Sequence, residues 1–418
     1  MQNGPNTLKD TTLLSINNYY YRRGGAEFVF FEQNRLMEET GWQVIPFAMQ
    51  HPDNLDSQWS EYFIDEIEFG ADYSVWEKLI RIPKIIYSFE AQRNLESLIN
   101  KTKPNICHAH NIYHHISPSI FKILKKHNIP TVLTLHDLKL ACPAYKMLTH
   151  DGICERCNEG TLLNVVKHKC VKNSAAVSSI AFLETALHRA LGSYVNNVNR
   201  FIVPSRFYLE KFVEWGFKRD QFVYIPNFLD IDKYKPNFSV GSKFLYFGRL
   251  GHEKGLTTLV KAAAIAKVSL VFAGMGPEEK SLQSLANDLN VDIEFLGFLN
   301  GDNLYSVIRS SKCVVLPSEW YENAPISLME AYALGKPVIG ANIGGIQELV
   351  KDEVTGFGFE SGSIKSLANA LTYINEKPDS QIEDMGKAGR KWIETEFTAN
   401  LFRSKLLDLY SELGGMSK

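Results

Sequence analysis

Phe244-Leu245-Tyr246-Phe247-Gly248-Arg249-Leu250-Gly251-His252-Glu253-Lys254-Gly255 runs from four apolar residues straight into a glycine-rich loop that carries two cations. A short apolar run that breaks at glycine reads as a buried strand opening into a tight loop. More such runs follow at Leu270–Ala273, Ile293–Leu296, Cys313–Leu316 and Val338–Ile339, with stretches of helix length between them. Strands that alternate with helices imply parallel βαβ units. Working back toward the N-terminus, the same alternation occurs independently. Leu13–Ile16, Trp42–Phe47, Asn105–His108, Thr131–Leu135 and Phe201–Pro204 read as strands, with helices at Ala26–Thr40, Ser117–His127 and Ser205–Trp215. The register restarts near Pro226, and the polar, proline-bounded stretch Asp230–Asn237 suits a linker. The expected organisation is a first Rossmann-like domain over 1–226, a linker over 227–240 and a second Rossmann-like domain over 241–397. A last helix lies over 398–418. Two such α/β sheets in series place a ligand where strand ends meet, in the cleft between domains.

The chain has 418 residues, which suits two domains of roughly 200 residues each. Apolar residues make up 45% and charged residues 22%, an ordinary globular balance. A net charge of -2 gives no basic field for nucleic acid. The start, Met1–Asn6, is polar and lacks a signal peptide's apolar core, and no apolar run reaches about 18 residues. The cytoplasm is the default compartment on these grounds.

The motifs lie at the strand ends. Glu322-Asn323-Ala324-Pro325-Ile326-Ser327-Leu328-Met329-Glu330 places Pro325 in the first turn of a helix that Gly335-Lys336-Pro337 ends. Glu322 then precedes the helix and Glu330 falls in its second turn. The N–H groups at the helix start form a ready anion site. Glu322 could accept from sugar hydroxyls and Glu330 from ribose hydroxyls, although a solvated amphipathic helix carries two glutamates as readily. In the opening loop, Arg249 and Lys254 can both reach a diphosphate and neutralise charge on a departing group. A surface turn with incidental cations is the plainer alternative, and the Gly-Lys-Ser/Thr ending of a P-loop is missing. Gly24-Gly25 stands between the first strand and first helix and admits a phosphate, but lacks the dinucleotide spacing. His108, His110 and His136 end strands that open into the cleft; His136 closes its strand most cleanly.

In this order the motifs resemble the retaining GT-B glycosyltransferases of family 4 (glycosyl transferases group 1), over nearly the whole chain. By that resemblance, Gly24-Gly25 is the N-terminal glycine loop and His136 contacts the transferred sugar. Arg249 and Lys254 hold the diphosphate in place of a divalent metal; no Asp-x-Asp offers an obvious metal–diphosphate bridge. Glu322 orients the hexose and Glu330 holds the ribose. Asn323, Ala324, Pro325 and Ile326 line the donor, and the backbone near Leu299 holds the nucleobase. Gly344-Gly345-Ile346-Gln347-Glu348 is the double-glycine turn, and the last helix crosses back to the first domain. The resemblance implies hexosyl transfer from a nucleotide diphosphate sugar, UDP- before GDP-, to a saccharide acceptor, with no cofactor for catalysis. A nucleotide-sugar epimerase or hydrolase on the same fold remains an alternative, as does a non-catalytic sugar-nucleotide binding module.

Two segments fall outside that pattern. Four of the six cysteines, Cys142, Cys154, Cys157 and Cys170, cluster in an insertion over about 138–175 that adjoins His136. It would shape the acceptor side of the cleft. Cys154-Glu155-Arg156-Cys157 is half of a zinc site, and the four suggest structural zinc; two disulfides or free thiols are the competing readings. Between Lys78 and Lys103, Lys78, Arg81, Lys84, Arg93, Lys101 and Lys103 outnumber Glu90 and Glu96. Ile82, Ile85, Ile86 and Phe89 recur beside them at helical spacing. This suits an interfacial helix, peripheral at the inner membrane face and serving a lipid-linked acceptor, or equally an ordinary helix packed on the first sheet.

Overall fold

Parallel strands covered by helices on both faces are buried runs, and most inner strands of this protein are buried at every residue. The computed structural model describes residues 11–66, 83–149 and 151–415. The first domain has strands β1 (Thr12–Ile16), β2 (Gln43–Phe47), β3 (Ile106–Ala109) and β4 (Thr131–Thr134). A two-stranded antiparallel hairpin follows, β5 (Leu148–Thr149) and β6 (Gly152–Ile153), and then β7 (Arg200–Val203) and β8 (Phe222–Tyr224). The second domain has β9 (Phe244–Phe247), β10 (Leu270–Ala273), β11 (Ile293–Phe295), β12 (Cys313–Leu316), β13 (Val338–Ala341) and β14 (Gly356–Phe359). The orders are β2-β1-β3-β4-β7-β8 and β11-β10-β9-β12-β13-β14, with every pairing parallel.

In each sheet the chain reverses its direction of growth once. The switch falls between β1 and β3 in the first domain and between β9 and β12 in the second. A crevice opens outside the carboxyl ends at such a point. The two crevices face each other. Asn323, past the end of β12, donates from Nδ2 to the Leu135 carbonyl past the end of β4 at 3.0 Å. Its Oδ1 accepts from the Ser205 hydroxyl past β7 at 2.8 Å.

The chain crosses between the domains twice, side by side. The Leu229 N–H donates to the Phe397 carbonyl at 2.9 Å, and Leu229 bridges Thr398. The helix Ala399–Glu412 then lies on the first domain. Its Phe402, Leu406, Leu409 and Tyr410 join a buried cluster with Leu13, Trp42, Ile106, Val132 and Phe228.

Element boundaries differ from the sequence expectation by a residue or three. Trp42 precedes β2 and packs at 5.6 Å on Tyr410. The helix expected from Ser117 begins at Ile120, because Ser117 sits at φ 73° and Ser119 is the cap.

Candidate active site

Gly255 fixes the loop after β9 against the loop after β12. Its φ is 65°, and a Cβ there would lie 2.0 Å from the Pro317 carbonyl oxygen. With the backbones this close, Lys254 Nζ donates to Glu322 Oε1 at 2.6 Å, and the Ser318 hydroxyl donates to the same oxygen at 2.7 Å. Burial by itself would raise the Glu322 carboxyl. The charge of Lys254 and these hydrogen bonds outweigh it and hold the group below its ordinary value. Glu322 is therefore an ionised acceptor, with lone pairs beyond these bonds to take hydroxyls. Gly345 braces it from the other side. A Cβ there would lie 1.7 Å from the Asn323 carbonyl oxygen, and its N–H donates to the Glu322 carbonyl at 2.8 Å.

Arg249 pairs with Glu253, whose other oxygen lies 3.7 Å from Lys146 Nζ. Lys146 belongs to the cysteine-bearing insertion. Its ammonium is pushed below its ordinary value by burial and then by the charges of Arg249 and Lys254. Cations crowded this way are relieved by an anion.

The helix Ile326–Ala333 begins beside them, with Pro325 at its N-cap and Ala324 buried. Across the cleft, a Cβ on Gly25 would meet Ile326 Cγ1 at 3.8 Å, so the Gly24-Gly25 loop faces the helix start. Glu330, in the second turn, accepts from the Tyr234 hydroxyl at 3.2 Å. Burial pushes its carboxyl up to about 7. Leu299 lies beyond β11, partly buried against the second domain's core.

His136 is one of a stack of imidazoles. Its Nε2 lies 2.8 Å from His110 Nδ1, and the His108–His110 and His110–His136 ring centroids are 4.7 and 5.1 Å apart. Burial lowers His136 to about 4, so it meets a ligand as a neutral donor or acceptor. His108 is anchored away from the cleft, between the Tyr410 hydroxyl at 2.5 Å and the Thr134 hydroxyl at 2.7 Å.

Two expectations need amending. The Asp-x-Asp spacing does occur, at Asp230-Ile231-Asp232 in the linker. There the Asp230 carboxylate is engaged by Arg35 at 3.2 Å and Lys233 at 3.3 Å. The insertion reaches the donor domain as well as the acceptor side, through Lys146 and through Glu155, which accepts from the Tyr321 hydroxyl at 2.7 Å. Neither residue carried a sequence signal beyond its place beside the cysteines. All six cysteines are free, and among the described residues no group of His, Cys, Asp or Glu stands in metal-holding geometry.

Of the basic segment, Lys78, Arg81 and Ile82 lie outside the described residues. Of the described remainder, Ile85 is buried, Lys84 pairs with Glu90 and Lys101 with Glu61, while Phe89, Arg93 and Lys103 are exposed. Among the described residues no helix is long and apolar enough to cross a membrane.

Residues 23–233 match glycosyltransferase family 4, and residues 231–392 match glycosyl transferases group 1. An uncharacterised glycosyltransferase of Methanocaldococcus jannaschii is 39% identical over 173 residues, 40% of each chain. The Escherichia coli UDP-Gal:alpha-D-GlcNAc-diphosphoundecaprenol alpha-1,3-galactosyltransferase is 29% identical over 212 residues, 45% of this chain and 54% of its own. These matches thus span about half or less of either relative's length. The sucrose-phosphate synthase of Thermosynechococcus elongatus has the same fold, with a TM-score of 0.69 at 20% identity over 96% of this chain and 99% of that one. The two family matches meet inside the linker, one on each sheet, and the chain belongs to the family 4, group 1 glycosyltransferases of the GT-B fold.

Proposed function

We propose that the protein moves a hexose from a nucleotide diphosphate sugar to a lipid-linked saccharide, with retention of configuration and without a catalytic metal. The observation that carries this is the Lys254–Glu322 contact at the second sheet's switch point, with Arg249 and the helix start beside it. Lys254, Arg249 and the first N–H groups of Ile326–Ala333 bind the diphosphate and stabilise the charge it gains as the anomeric C–O bond breaks. Glu322 accepts from hexose hydroxyls, and neutral His136 meets the hexose from the first domain. Glu330 accepts from the ribose, and the backbone near Leu299 borders the base. The acceptor oxygen attacks from the face the leaving group vacates, and its proton passes to the departing diphosphate oxygen.

A UDP-hexose is favoured over a GDP-hexose, and the lipid-linked acceptor is drawn from what the Escherichia coli relative is named for. Such an acceptor brings peripheral membrane contact, which flotation with anionic vesicles at low salt tests. The deciding assay combines UDP- or GDP-hexose with a lipid-linked saccharide, without magnesium or manganese. Nucleotide release should require the acceptor, and the product's anomeric proton coupling should match the donor's. Release that ignores the acceptor, an inverted coupling, or strict dependence on added metal would each remove the corresponding part of the proposal.

A further inference from the structure

Cys142, Cys154, Cys157 and Cys170 line one small cavity of about 20 Å³, together with Met147 and Val165. That is room for one ion or water, since about 10–15 Å³ suffices for a water. The local chain brings the sulfurs there. The turn after Cys142 closes through the Tyr145 N–H, which donates to the Cys142 carbonyl at 2.8 Å, and leads directly into the hairpin. The Cys154 N–H donates to the Met147 carbonyl at 2.8 Å, closing the β5–β6 hairpin and returning Cys154 to that turn. Cys157 lies in the short helix Arg156–Glu159. Cys170 follows the helix Asn164–Lys167, its N–H on the Val165 carbonyl at 3.1 Å. The four cysteines border the cavity without standing in metal-holding geometry. A soft divalent ion displaces the protons and draws sulfur to about 2.3 Å.

The same segment touches the donor loop. Glu155, between Cys154 and Cys157, accepts from the Tyr321 hydroxyl at 2.7 Å and from Lys211 Nζ at 3.0 Å. Tyr321 is the residue before Glu322. Lys146, between Cys142 and the hairpin, reaches Glu253 and lies 5.9 Å from the Trp320 ring centroid. Strands of two residues and helices of four cannot hold these side chains in place unaided.

We propose that the four thiols bind one zinc ion, and that the zinc-ordered segment is a clasp that sets Glu155 and Lys146 against the donor loop. The clasp rests on the transferase reading, whereas the metal site stands without it. Glu155 is a positioning residue, acting on Glu322 through Tyr321.

The test uses the full chain purified without added metal. Elemental analysis should give about one zinc per chain, the stoichiometry of a closed four-thiolate site, and the Cys154→Ser/Cys157→Ser double variant should give none. Cobalt put in place of zinc should show sulfur-to-metal charge transfer and the strong visible bands of a tetrahedral site. Metal-free protein with four titratable thiols and no cobalt spectrum would overturn the site. Glu155→Gln should keep its zinc while donor KM rises about 3–10-fold with kcat little changed, the span of one hydrogen bond. The double cysteine variant should raise KM at least as far. Full zinc in the native chain with donor KM unmoved in both variants would overturn the clasp. A chain that transfers no hexose would sink the transferase reading and leave the zinc and cobalt results standing.

Discussion

Lys254 and Glu322 share a largely enclosed contact, in which each charge is stable because of the other. Their substitutions should therefore differ in stability while agreeing in activity. Lys254→Ala leaves a carboxylate in low dielectric without its counter-charge, which is costly; Glu322→Gln keeps shape and hydrogen bonding. Transfer should fall roughly 10²–10³-fold in each, the loss typical of one group that stabilises transition-state charge. Lys254→Ala alone should also melt well below the native chain. Near-native turnover in both variants would remove the pair from the site. Glu330 behaves differently, because its carboxyl is raised to about 7. The folded state binds its proton more tightly than the unfolded chain, whose glutamates titrate near 4.3. The stability this proton provides is complete below the unfolded value and is lost as pH rises through about 7. Ribose hydroxyls donate best to the ionised form, so donor KM should fall between pH 6 and 8 while native stability falls too. Glu330→Gln should flatten both profiles; two unchanged slopes in that variant would show that another group titrates.

At the scale of elements, close backbone contacts decide where the side chains point. Gly345 opens the helix Ile346–Leu349, whose Glu348 carboxylate accepts from the Arg206 N–H at 2.9 Å and from the Phe207 N–H, capping a first-domain helix across the cleft. A methyl group at Gly345 meets a backbone oxygen, which cannot rotate away as a side chain would. Overpacking typically costs 1–3 kcal/mol, and Gly345→Ala should reach about 3 kcal/mol in urea unfolding. The same shift of Asn323 loosens its bonds to Leu135 and Ser205, so donor KM should rise as well. An unaltered urea midpoint would refute the contact.

These elements were unevenly legible. Strands such as Phe244–Phe247 and Cys313–Leu316 are continuous apolar runs and stand out. β14 is Gly356-Phe357-Gly358-Phe359, where half the residues lack a side chain, and β8 is only Phe222–Tyr224, so neither shows. The helix Ala175–Ala190 is rich in Ala and Ser and has a weak apolar stripe. The site divides in the same way. Lys254 and Glu322 were readable because each lies in a local motif, yet their contact across 68 residues depends on β9 and β12 being neighbours. Lys146 and Glu155 sit in no motif and come to the cleft only by the fold of the insertion. The linker's Asp230-Ile231-Asp232 shows the converse: a chemically suggestive spacing whose first carboxylate is held by structural cations.

Over the whole molecule, the last helix ties the acceptor half to the chain that leaves the donor half. Phe402 stacks on Phe228 at 4.2 Å, and Tyr410 reaches His108, which stacks on His110 and through it on His136. Phe402, Leu406, Leu409 and Tyr410 are each buried against the first domain. Fully burying such side chains is worth about 1.5–3 kcal/mol apiece. Their sum is comparable to the roughly 5–15 kcal/mol that holds an entire domain folded. A chain ending at Thr398 should therefore lose its first domain's structure while the second, whose main cores contain nothing from this helix, unfolds near its native midpoint. Urea unfolding followed by tryptophan emission and limited proteolysis would resolve two transitions where the full chain is more nearly cooperative. Tyr410→Phe is the milder version. It leaves buried His108 Nδ1 without a partner, at about 1–3 kcal/mol, and should shift only the first-domain transition. If the truncated chain instead unfolds in one step at the native midpoint, the helix is an appendage and the histidine stack owes nothing to it.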